Sequence, residues 1–295
     1  MLPIQLQSLA ITVANHLGVA VGGCSNVSFI YNWQHKHLEP GSLYDPRTLN
    51  TDCIEPRFTI LSEEESGSLW YFIKGHILME ATACNILDRI MQLYEIDIND
   101  NDVFDLEILT KCREALSSMT LELKTLLTIM SSYMHQNKIL LKHWPYIQKL
   151  VILPLYDGMS GMQNCWLFAL SYVTNAEQSK NGEVKIEEEA VWTHLLPHQT
   201  ALMLKFKERS KYLTMLCKHL NDDEIFTLYE NFISGVITWR AIHRSRASQF
   251  TSILPPPFET TLPTDFFNLK RLQKVWDNRI NDFVKLKYAV RGVRS

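Results

Sequence analysis

Three long stretches of this chain carry apolar residues at three- and four-residue steps, and no other feature constrains the fold as strongly. After Gly67 the steps are Ile73, Ile77, Ala81, Cys84 and Leu87. A second stripe runs through Leu106, Leu109, Cys112, Leu116 and Met119, and a third through Ile225, Phe232, Val236 and Trp239. Apolar positions spaced this way line one face of a helix, whereas a strand would alternate every second residue. The breakers fall between the stripes: the acidic turn 97–102, Pro145, Pro154, Asn181-Gly182 and Pro255-Pro256-Pro257. Only 11 Gly and 11 Pro occur in 295 residues, so long uninterrupted elements are expected.

The expected fold class is therefore all-α, a helical bundle occupying residues 1–295 as one domain. A short amphipathic helix is expected over 2–18, ended by Gly22-Gly23, followed by an irregular, loop-rich segment over 34–68. Helices then follow from Gly67 and over roughly 103–137. His143-Trp144-Pro145 opens a segment that Pro154 closes or kinks. A polar loop over 175–186 precedes a helix over 187–196, and Pro197 starts another. Asn221-Asp222-Asp223-Glu224 caps a long helix from 222 to about 250. The last helix runs from Thr264 to about Lys287 and ends basic, which suits its dipole.

Composition removes several function classes. With 29 Lys+Arg against 32 Asp+Glu the net charge is −3, so no global field draws in nucleic acid or an anionic membrane. The six cysteines are scattered without a CxxC pair, which fits reduced thiols better than a zinc site or a disulfide framework. No apolar run is long enough to span a bilayer. The opening MLPIQLQSLAITVANHLGVAVGGC lacks a basic start and is interrupted by Gln5, Gln7 and His16, so it is expected to belong to the fold, in a cytoplasmic protein. Neither GxGxxG, a P-loop, GxSxG nor HExxH occurs.

Chemistry then rests on the ten histidines. His243 lies 18, 11, 7 and 4 residues after Ile225, Phe232, Val236 and Trp239, so it continues their stripe, with Arg240, Arg244 and Arg246 around it. An imidazole in an apolar groove with guanidinium groups within a turn suits haem, the imidazole on iron and the arginines on propionates. A core histidine bonded to a carbonyl satisfies the same spacing, and from spacing alone is the commoner case. His76 lies beside the Ile73/Ile77 stripe one turn before Glu80, as an acid–base group facing a substrate or as half of a helical His–Glu pair. His35 and His37 flank Lys36 in a loop, His194 and His198 are split by Pro197, and the Asp97–Asp102 turn lacks the Gly and Glu of a calcium loop.

Four stretches in order resemble the large domain of the indoleamine 2,3-dioxygenase family of histidine-ligated haem enzymes. They are FIYNW from Phe29, continuing to WYFIKGHILMEATA around His76; Pro145 to Gly158, in spacing only; SGMQNC from Ser160; and 189–255. The last contains LLPHQTALM and LYENFISGVITWRAIHRSRASQF, which is similar to the family's proximal-histidine helix, including the Arg three residues before the His. The resemblance covers most of 25–275 and implies a b-type haem enclosed by helices. His243 would bind the iron with Arg240 and Arg244 as propionate partners, and Ser160 and Gly161 would lie on the distal face. Trp70, Phe72, Ile73, Lys149 and Thr261 would line the substrate pocket. The family's small N-terminal domain has no counterpart here.

Other departures change the expected chemistry. Gln148, Lys149 and Leu153 stand where the dioxygenases have a Phe-Phe pair and an Arg for the substrate carboxylate, and Lys149 lacks the bidentate fork of Arg. Leu262 and Pro263 replace glycines of a flexible loop. His76 takes the place of a serine, as in the related tryptophan 2,3-dioxygenases, which use a distal histidine. The expectation is a haem-dependent dioxygenase or monooxygenase acting on an aromatic amino acid or indole derivative, with dioxygen or peroxide as oxidant and His76 as distal acid–base. A biosynthetic relative that hydroxylates or rearranges tryptophan or tyrosine derivatives, or a haem sensor without turnover, would share these residues. A homo-oligomer is left open.

Overall fold

The computed structural model describes residues 12, 13, 16, 33–39, 42, 45, 48–50, 52–56, 63–96, 106–133, 135, 137–145, 147, 165–174, 195–251 and 269–292. These are mostly helical, as the periodicity predicts. Seven α-helices are described: α1 (Glu63–Tyr94), α2 (Leu106–Tyr133), α3 (Cys165–Thr174), α4 (Pro197–Glu208), α5 (Tyr212–Leu220), α6 (Asp223–Thr251) and α7 (Leu269–Arg291). A 3-10 turn, Leu141–His143, precedes Trp144. Within the expected loop-rich segment two short strands, β1 (Trp33–His35) and β2 (Ile54–Pro56), pair antiparallel, with Gln34 opposite Glu55. Buried Ile54 anchors that ribbon to the helical core. The expected helices over 2–18 and 187–196 and the loop over 175–186 fall wholly or mostly outside the described residues.

The element limits differ from expectation for local physical reasons. α1 begins four residues before Gly67, whose missing Cβ would meet nothing within 4 Å. An exposed glycine near a helix start costs only about 1 kcal/mol, so packing carries the helix through it. The helix starting at Pro197 is two helices, broken where Lys211 adopts a left-handed φ of 71° and donates its N–H to the Tyr172 carbonyl at 3.0 Å. At the start of α4 the Gln199 side chain accepts the Leu196 N–H at 2.9 Å. Asp222 caps α6 by accepting the Ile225 N–H at 2.9 Å, and Arg113 of α2 reaches the same carboxylate at 2.6 Å.

α2 is the centre of the packing. It buries Leu116, Met119, Leu123 and Leu126, with α1 on one side and α6 on the other, and α7 packs outside α6. α3 packs on α1, α4 and α5. α6 packs tightly on α2 at Gly235, since a Cβ there would lie 2.9 Å from Leu123 Cδ1. α1 and α6 thus flank α2 and contact each other far less than either contacts it, so their facing side chains are left to fill the space between them. Cys53, Cys112 and Cys217 are buried free thiols and Cys84 is an exposed one. Among the described residues no helix is long and apolar enough to cross a membrane.

Candidate functional site

The inner face of α1 carries Phe72, His76 and Glu80 at four-residue spacing, which stacks them on one side of the helix. His76 Nδ1 lies 2.8 Å from the Phe72 carbonyl oxygen. A carbonyl only accepts, so Nδ1 carries the hydrogen and the lone pair sits on Nε2. The Phe72 ring packs against His76 at 4.4 Å between centroids and meets Trp144 edge-on at 5.4 Å. Trp144 in turn packs on Phe250 of α6 at 4.8 Å. Trp144 is held there by a buried pin: Ser68 Oγ lies 2.9 Å from His143 Nδ1 and accepts the Leu140 N–H at 3.2 Å. The Ser68 hydroxyl thus bridges the His143 ring and the Leu140 backbone.

On α6, His243 stacks on Trp239 with centroids 5.4 Å apart and planes 14° apart. Trp239 meets Trp166 of α3 edge-on at 4.9 Å. Arg240 lies over the Phe283 ring of α7 at 5.0 Å and extends Nη2 to 3.4 Å from Ser171 Oγ of α3. Arg244 has a different partner: its fork grips Asp277 of α7, Nη2 to Oδ2 at 3.0 Å and Nε to Oδ1 at 2.5 Å. Arg240 is consequently the guanidinium beside His243, while Arg244 ties α6 to α7.

Electrostatics joins the two faces. Burial pushes the His243 imidazole down to about 4, and the positive charges of Arg240 and His76 push in the same direction. That coupling brings His76 and His243 within electrostatic reach across α1 and α6. Burial also pushes His76 down to about 4, against a smaller upward pull from the Phe72 carbonyl. Burial drives the Glu80 carboxyl the other way, up to about 7, and the Trp166 indole N–H beside it offsets part of that rise. The Glu80–Trp166 contact is looser than a well-aligned hydrogen bond. His76, Glu80 and His243 are surrounded by protein, yet each keeps part of its surface accessible, unlike the core residues beside them. These groups sit at the margin of the core.

The donor set bears on a cofactor. Among the described residues no three of His, Cys, Asp and Glu gather as a bare metal ion requires. One neutral imidazole suffices for an iron already held by four macrocycle nitrogens. Phe72, Trp144 and Phe250 form one aromatic series, and Trp166, Trp239 and His243 another. The indole N–H groups of Trp144 and Trp239 are buried without an acceptor among the described residues, which a ligand's oxygen atoms would satisfy. A lone neutral imidazole among aromatic rings is a donor set of the kind a haem uses, unlike a bare ion.

Of the residues expected at the site, His76, Phe72, His243 and Arg240 come together. Ile73 is packed into the core, and Trp70, about a third of a turn around α1 from His76, carries Lys74 over its ring at 5.1 Å. Ser160, Gly161, Lys149 and Thr261 lie outside the described residues. Sequence reasoning missed Trp144, Trp166 and Phe250 as walls, and gave Glu80 only the part of ion-pair partner. The four-residue repeat of Phe72, His76 and Glu80 was the available signal for Glu80. No known family model matches the chain, and no curated protein does either.

Proposed function

We propose that the cleft between α1, α3 and α6 holds a haem on His243, and that the protein is a haem-dependent oxygenase acting on an aromatic amino acid or indole derivative. The observation that carries this reading is His243 of α6, stacked on Trp239 beside Arg240 and near enough to His76 of α1 to feel its charge. Bound haem would supply activation of dioxygen or peroxide at its iron. The chain supplies the rest. Burial and Arg240 keep His243 neutral, the only state in which an imidazole donates to a metal. Arg240 offers a positive charge to a carboxylate in the cleft. His76, neutral with its lone pair on Nε2, takes a proton from an indole N–H or phenol presented to it. Phe72, Trp144 and Phe250 form a flat apolar wall for an aromatic ring.

The test is the visible absorption spectrum of the purified protein with haemin, followed by tryptophan, tyrosine and indole. A Soret band is expected that His243→Ala removes and that one of these compounds shifts. A well-folded sample without the band overturns the haem reading. A second reading has its own observation: the Nδ1–H to carbonyl bond of His76 is the arrangement that orients metal-ligating histidines. His76 would then be a second axial ligand in a haem sensor. In that case His76→Ala converts a six-coordinate low-spin spectrum to a high-spin one, and no aromatic compound shifts the wild-type band.

A further inference from the structure

Four aromatic or acidic groups form an unbroken series across the helices. His243 stacks on Trp239 at 5.4 Å, Trp239 meets Trp166 at 4.9 Å, and the Trp166 N–H lies beside the Glu80 carboxyl. Both tryptophans are buried, at 4% and 2% exposure. The series starts on the residue proposed to bind iron and ends at a group that can accept a proton. Indole is among the most easily oxidised side chains, and its radical cation readily sheds the N–H proton when a base stands beside it. A core that needed only volume at these positions had no use for an acceptor at Trp166, where the buried carboxyl is costly.

We infer that Trp239 and Trp166 form a one-electron relay leading away from the iron ligand, with Glu80 as its proton acceptor; this rests on the haem reading. The oxidant is hydrogen peroxide, which takes two electrons, and two protons from solvent, as its O–O bond breaks to give two waters. One electron comes from the iron and one from Trp239. Trp166 then returns an electron to Trp239 and passes its Nε1 proton to the Glu80 carboxylate. The products are a neutral Trp166 radical and a protonated Glu80, with Trp239 restored. The relay moves an oxidising equivalent out of the cleft when no substrate is there to receive it.

The test mixes haemin-loaded, substrate-free protein with hydrogen peroxide at about pH 8, where Glu80 is ionised, and records the electron paramagnetic resonance spectrum of the frozen sample. Wild-type protein is compared with protein carrying ring-deuterated tryptophan, which alters no packing. An organic radical is expected whose hyperfine pattern collapses on deuteration. Trp239→Phe should abolish it, Trp166→Phe should move it to Trp239, and Glu80→Gln should shorten its lifetime. Retained Soret bands and circular dichroism show that the variants fold. A radical indifferent to tryptophan deuteration, or one unchanged by both tryptophan substitutions, overturns the relay. So does the absence of any radical in protein whose Soret band depends on His243, and that result leaves the haem reading standing. Failure to load haem overturns both.

Discussion

His76 and Glu80 stand one turn apart on α1, a spacing that on a wet helix yields an ion pair. Here burial outweighs that attraction: His76 falls to about 4 and Glu80 rises to about 7, so between those values both are neutral. The consequence for stability has a definite sign. For His76 and His243 the unfolded state binds more protons below about pH 6.5, so stability falls as pH drops toward 4. Glu80 has the opposite sign, since its folded pKa is raised and its contribution is lost as pH rises through about 7. Where the windows overlap, two histidines against one carboxyl leave the unfolded chain about one proton ahead, a slope of about 1.4 kcal/mol per pH unit. The thermal midpoint of haem-free protein should fall on acidification from about pH 6.5, and a His76→Phe, His243→Phe double variant should reverse that slope, since only the opposite contribution of Glu80 remains. Glu80→Gln should stabilise by about 2 kcal/mol at pH 8 with little effect at pH 5, as read by denaturant unfolding at the two pH values. An equal gain at both would mean that Glu80 is not desolvated.

At the scale of elements, the cleft depends on how closely α1 and α6 are drawn onto α2. Gly235 permits the close α2–α6 packing, and a methyl added there would force the Leu123 side chain, buried at 1% exposure, to shift. Gly235→Ala gains about 1 kcal/mol of helix propensity but forces overpacking that costs about 1–3 kcal/mol. The expected net result is a loss of stability, recovered in part by adding Leu123→Ala; a more stable single variant would show that the helices can separate freely. The Ser68–His143 pin positions Trp144 against Phe72 and Phe250. Removing its hydroxyl takes one hydrogen-bond partner from the buried His143 ring and another from the Leu140 N–H, so Ser68→Ala should cost about 1–3 kcal/mol. It should also change Trp144 fluorescence, measured against a Trp144→Phe control.

For the whole molecule, a ligand that binds only the folded state raises stability by mass action, about 2.7 kcal/mol at a hundredfold excess over Kd. Haemin should therefore raise the thermal midpoint of wild-type protein, and His243→Ala should lose that rise while keeping its far-ultraviolet dichroism. A rise that survives His243→Ala would place haemin elsewhere on the surface. This measurement separates loss of the ligand from loss of the fold, which an activity assay cannot do.

Helical periodicity was enough to predict α1, α2 and α6 within a few residues, because a 3.6-residue stripe reports burial directly, while α7 was read from its cap and basic end. It also placed His243 on the buried face of α6 and His76 beside that of α1. The β1–β2 ribbon and the break at Lys211 were not legible, since one rests on pairing across 20 residues of chain and the other on a hydrogen bond to α3. Nor could spacing distinguish Arg240 from Arg244, because the choice depends on Asp277 arriving from a different helix. Local pattern decides which residues leave water. Which of them then meet, and whether a buried carboxyl keeps its proton, is set by helices distant in sequence, through desolvation and contact that only the packed chain creates.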